Sequence, residues 1–111
     1  MAVNLRELIP AVQVAATATT YYTATNCVAR FDSFTLTNTD TVAQTVTVHV
    51  VPLAGSASAT NMIISAKSLA PGECYTCPEM VGKSIKAGTF VQALASTAGK
   101  VTFHASGIEV T

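Results

Sequence analysis

The sequence predicts an all-β protein: a single antiparallel β-sandwich or small jelly roll over residues 15–111, preceded by an irregular N-terminal arm over residues 1–14. Three observations carry this. Ser33-Phe34-Thr35-Leu36-Thr37-Asn38 and Thr45-Val46-Thr47-Val48-His49-Val50-Val51 alternate with period two and flank the turn formers Thr39-Asp40-Thr41, the pattern of an antiparallel hairpin. Turn signals recur at short intervals through the second half, as they do between the strands of a sandwich. Charged residues make up only 11% of the 111 residues, against about 25% in an ordinary soluble domain. The outer faces of so small a β domain must therefore be kept wet by Thr, Ser and Asn, or be covered by a partner.

Taken in order, the arm is the least regular part. Leu5, Leu8, Ile9 and Val12 fall at near-helical spacing, but Pro10 interrupts them, so a short helix and an extended segment are both open. Thr17 to Ala24, with Tyr21-Tyr22 at its centre, suits a pleated, half-buried surface. Asn26 turns the chain into the first arm of the hairpin, Cys27 to Thr37, and Pro52 ends the second because it cannot donate to a ladder. Ala54 to Ala59 is a small-residue loop, and Asn61 to Lys67 is a short strand. Pro71-Gly72 makes a turn in which Pro sets φ and Gly accepts a positive one. Cys74 to Thr76 resumes β structure, and Pro78 to Gly82 reads as one helical turn. Ala87-Gly88 and Ala98-Gly99 bracket a strand over Thr89 to Ala95. In the last strand, Lys100 to Val110, the residues Val101, Phe103 and Ala105 share one parity and Ile108 and Val110 the other. A bulge at Gly107 would return both sets to one face. Seven or eight strands result.

Composition removes several functional classes. A formal net charge of zero, with Arg6, Arg30, Lys67, Lys83, Lys86 and Lys100 dispersed, offers no field for nucleic acid or anionic lipid. No apolar run approaches the roughly 20 residues that span a bilayer, and Arg6-Glu7 falls where a signal peptide needs an apolar core. Three cysteines, an odd number, argue against a disulfide framework and for reduced thiols in a protein made in the cytoplasm.

Candidate chemistry is sparse. Cys74-Tyr75-Thr76-Cys77 is a CxxC, which with Cys27, His49 or His104 could in principle hold zinc. Residues three apart on a strand point to opposite faces, however, and no second close pair exists, so no metal or other cofactor is expected. His49 and His104 lie on the parity of Thr47 and Thr102 and read as surface or interface residues. Ser33, His104 and Asp32 make a triad only on paper, without a nucleophile-elbow sequence. The six acids are scattered. The sequence thus gives no catalytic residues.

A resemblance supplies the direction. Tyr21-Tyr22-Thr23-Ala24, Phe34-Thr35-Leu36-Thr37-Asn38, Val46 to Pro52, Leu69-Ala70-Pro71-Gly72-Glu73, Pro78 to Gly82, and Ala87-Gly88-Thr89 through Val110 follow one another in an order that resembles small structural proteins of tailed-bacteriophage virions. Among these the chain looks like capsid decoration (cement) proteins. The resemblance implies a homo-oligomer, dimer or trimer, made in the host cytoplasm, that binds the major capsid protein on the outside of the shell and clamps neighbouring capsomers. Leu5, Leu8, Ile9 and Val12 of the arm, with Tyr21 and Tyr22, are the interface candidates, and the first dozen residues are expected to govern attachment rather than folding. A tail or baseplate module fits the same signals. A carbohydrate- or host-surface-binding sandwich would instead use Tyr21, Tyr22 and Tyr75 as a stacking platform.

Overall fold

Two antiparallel sheets pack face to face in the computed structural model, which describes residues 2–111; Met1, the first residue of the predicted arm, lies outside them. The strands are β1 (Val3–Gln13), β2 (Thr19–Thr23), β3 (Val28–Asn38), β4 (Gln44–Val51), β5 (Met62–Leu69), β6 (Cys74–Tyr75), β7 (Ser84–Ile85), β8 (Phe90–Ala95) and β9 (Val101–Val110). One sheet runs β1-β9-β3-β6, with β7 also on β3; the other runs β2-β8-β4-β5. This is the β-sandwich the alternation and turn signals predict.

The predicted hairpin is not one. β3 pairs with β9, β6 and β7, whereas β4 pairs with β8 and β5 in the opposite sheet. Period-two alternation identifies strands but not their partners, and Asn38 diverts the chain. Its side chain is fully buried, donates to the carbonyls of Val42 (2.9 Å) and Leu69 (3.0 Å), and accepts from the Asp40 amide (2.9 Å). These bonds fold residues 38–42 into an arch that carries the chain across to the second sheet.

The predicted irregular arm is instead an 11-residue edge strand, β1, bonded along β9. Near-helical spacing misled because β1 is bulged. Its pairing slips by one residue between Arg6 and Ile9 and again between Ile9 and Val12, which turns both Leu8 and Ile9 into the core.

The phase change expected at Gly107 occurs opposite it. β9 alternates without interruption, burying Val101, Phe103, Ala105 and Glu109, while Ile108 and Val110 face outward. The extra residue is Asp32 on β3, between the pairs Phe31–Gly107 and Ser33–Ser106, so Phe31 and Phe34 both point inward. Gly107 is what allows this: a Cβ there would collide with the backbone carbonyl of Arg30. Phe31 and Phe34 then meet edge to face at 5.2 Å, Phe34 and Phe103 at 4.8 Å, and Tyr22 and Tyr21 continue the series at its two ends. Each such pair is worth about 0.5–1.5 kcal/mol beyond its buried area.

The turns follow their residues. Glu73 donates to the Ala70 carbonyl across Pro71-Gly72, with Gly72 at φ 77°, the type II geometry the Pro-Gly order favours. Pro78 to Gly82 forms successive turns rather than a helix, pinned by Met80, which is fully buried.

Candidate interaction surface

The solvent face of the first sheet divides into two halves. Toward one end it carries hydroxyl and imidazole pairs: Ser33 with Ser106, Thr35 with His104, and Thr37 with Thr102. The Ser33 and Ser106 hydroxyls share a 2.8 Å hydrogen bond. Toward the other end the pairing sets Val3, Val110 and Val28 in one row across three strands, and Leu5 beside Ile108 in the next. Val3 and Val28 are about half exposed and Leu5 is 82% exposed, the most open large apolar side chain among the described residues. Cross-strand neighbours on one face touch, so these residues form a continuous apolar strip.

Beneath the strip, β1 is held by a polar cluster that sequence reasoning missed. Glu109 points inward from β9 and is only 9% exposed; it accepts from Arg6 on β1 (2.7 Å) and from the Tyr22 hydroxyl on β2 of the opposite sheet. The Tyr22 hydroxyl also approaches the Cys27 thiol at 3.8 Å. The Tyr22 hydrogen bond is the main influence lowering the Glu109 pKa, burial opposes it, and Arg6 adds to the lowering. Burial, followed by the bond to Glu109, raises the Tyr22 pKa. The signal available in the sequence was the parity of Glu109, which matches Val101, Phe103 and Ala105 if β9 is unbroken.

The interface candidates therefore separate. Leu5 is exposed on the strip. Leu8 and Ile9 are buried, and Tyr22 belongs to the core and the Glu109 cluster, so these three are not free to contact a partner as expected. Val12 and Tyr21, with Pro10, line a groove of about 330 Å³ between the edges of β1 and β2. There the Tyr21 hydroxyl accepts from the Ala15 amide at 2.8 Å and its ring stands edge-on to Phe103. Tyr75 sits on β6 at the far side of the sandwich, under the Lys67 ammonium (5.0 Å) and bonded to Glu79 (2.6 Å). That bond is the main cause pushing its pKa up to about 12. The three tyrosines thus share no groove and make no common stacking platform.

The other candidates are likewise apart. His49 is not a surface residue: it is buried, with Nδ1 2.9 Å from Asn61 Oδ1. His104 pairs with Glu7 (2.8 Å), and Asp32 pairs with Arg30 (3.0 Å), so Ser33, His104 and Asp32 each have another partner. Cys74 is exposed while Cys77 is fully buried, with its thiol pushed up to about 12, chiefly by burial. The CxxC spacing therefore does not converge, and no group of three or more His, Cys, Asp or Glu side chains gathers among the described residues.

Fold and surface together define an all-β sandwich with one apolar strip reaching an open edge strand. No protein-family model, curated protein or solved structure matches the chain.

Proposed function

We propose that this chain is a non-enzymatic structural protein of a tailed-phage virion: a decoration (cement) protein that binds the major capsid protein on the shell exterior and stabilises contacts between capsomers. The observation that supports this reading is the strip of Val3, Leu5, Val28, Ile108 and Val110. It is apolar, lies on a rigid sheet rather than a loop, and is bordered by polar side chains already partnered within the chain (Arg30 with Asp32, Glu7 with His104). Such a surface loses little on desolvation and suits a broad, uncharged contact. Many copies on one shell would make individually weak contacts effective.

Co-sedimentation with undecorated capsids tests it, beside isolated tails and buffer. Saturable binding in a fixed ratio to the major capsid protein, weakened by Val28→Lys, is the expected result. Binding to tails alone would move the protein to the tail or baseplate, and binding to neither would overturn the virion reading.

A further inference from the structure

The free edge of β1 is guarded along only part of its length. Edge strands are ordinarily protected against pairing by bulges, Pro or charge. β1 has its two bulges and Pro10 beyond Arg6, and its exposed Glu7 is engaged by His104. From Ala2 to Arg6 the strand is regular, and the one charge in that stretch, Arg6, turns back to Glu109. Ala2 exchanges both backbone hydrogen bonds with Thr111 (3.2 and 2.9 Å). Antiparallel alternation then directs the N–H and C=O groups of Asn4 and Arg6 toward β9, and those of Val3 and Leu5 outward, where β1 ends the sheet.

We infer that Ala2–Arg6 pairs antiparallel with the same segment of a second copy, around a twofold axis at Asn4. In that register Val3 faces the partner's Leu5, and Leu5 faces the partner's Val3. Both are the residues with free backbone groups, so about four hydrogen bonds form between copies without disturbing any within them. Because paired residues lie on one face, the two apolar strips join across the axis. Shifting the axis to Leu5 would set Val3 against the partner's Glu7, and shifting it to Arg6 would oppose two guanidinium-bearing residues. The segment is thus self-complementary about Asn4, as a twofold contact requires. A five-residue pairing is small beside a standard interface of about 800 Å² per partner, so the free dimer is expected to be micromolar. The inference does not depend on the virion reading: failure to bind capsids would leave the dimer intact.

Sedimentation equilibrium up to about 100 μM tests it with two variants. Leu5→Pro removes an outward N–H that the β9 ladder does not use, a position where an edge strand tolerates Pro. It should keep the β-type circular dichroism and weaken the dimer by about a hundredfold, since each copy loses a donor and strands a carbonyl. Val28→Lys, on the same face but away from the edge, should leave the dimer in place. A third variant, Asn4→Cys with Cys74→Ser, should form an intermolecular disulfide, because facing Cα atoms in a non-hydrogen-bonded pair lie about 4.5 Å apart; it decides the matter should Leu5→Pro fail to fold. A monomeric wild type, a dimer that survives Leu5→Pro, or absence of the Asn4→Cys cross-link would each overturn the inference.

Discussion

Replacing Glu109 measures how firmly β1 and β2 are tied to β9. In Glu109→Ala the Tyr22 hydroxyl, itself buried, keeps only the Cys27 thiol at 3.8 Å. Leaving such a donor unmet costs about 1–3 kcal/mol, and the lost side-chain methylenes add about 1 kcal/mol of burial. Arg6 contributes little, because its side chain is 58% exposed and exposed ion pairs are worth about 0–1 kcal/mol. The expected loss is therefore about 2–4 kcal/mol, read by urea denaturation at pH 7. Tyr22→Phe removes the orphaned donor, so the double variant should recover about 1–2 kcal/mol of the summed losses. The pH dependence has a definite sign. The folded pKa of Glu109 lies below its ordinary value of 4.5, so its contribution is complete above that pH and is lost as pH falls through the depressed folded value. Glu109→Gln should lack this part of the acid limb. A coupling energy below about 0.5 kcal/mol, together with parallel acid limbs for wild type and Glu109→Gln, would refute the assigned role.

Gly107→Ala should destabilise by about 3 kcal/mol or more in the same assay, because its Cβ meets the Arg30 backbone rather than a movable side chain. Gly72→Ala, with open space but φ 77°, should cost only about 1–2 kcal/mol. Asn38→Ala should cost about 2–4 kcal/mol, since it strips the Val42 and Leu69 carbonyls of their partner and loosens the arch. Cys77 is a thiol whose pKa rises from 9.0 to about 12 on folding. Its contribution is present below pH 9 and lost between pH 9 and 12, so alkaline melts of Cys77→Ala should fall less steeply than wild type, by at most about 4 kcal/mol. Deleting Ala2 to Leu5 should leave a folded chain by circular dichroism. Deleting Ala2 to Val12 should unfold it, because Leu8 and Ile9 leave the core at about 2–5 kcal/mol each.

Strand positions were legible in the sequence because alternation and turn residues act locally. Thr45–Val51 became β4 within one residue, Pro71-Gly72 made its turn, and Pro52 ended its strand. Pairing was less legible, because it depends on contacts between distant segments. Nothing local to Thr35 and Val46 says that Asn38 will find the Leu69 carbonyl and send the two strands into different sheets. Bulges had the same effect. At Gly107 the phase argument found the right level of the sheet but the wrong strand, since a missing Cβ on β9 is what permits an extra residue on β3. In β1 two bulges disguised a strand as an irregular arm, and with it the division of Leu5, Leu8 and Ile9 between surface and core. Glu109 was hidden by the bulge expected at Gly107, which set Ile108 and Val110 inward and so turned Glu109 outward.

The two open sides of the sandwich are treated differently, and the difference bears on how the protein meets a partner. On the β5–β6 side, Lys67 reaches from one sheet over the Tyr75 ring of the other, and Glu79 fixes that ring from below the turn. β5 is bulged there, with Ala66 at φ 45° and its amide capped by the Thr47 hydroxyl. A bulged strand with its polar groups internally engaged makes a poor template for another strand. On the β1 side, the cluster of Glu109, Arg6 and Tyr22 spends its bonds on the inner face and leaves the outer backbone of Val3 and Leu5 uncommitted. A chain with so few charges has few means of keeping an edge soluble; here Arg6 pairs with Glu109 and Glu7 hydrogen-bonds to His104 within the chain. With Arg6 turned back to Glu109 and Glu7 bonded to His104, the stretch from Val3 to Leu5 carries no charged side chain to repel a second strand, and its outward backbone is left open to pairing.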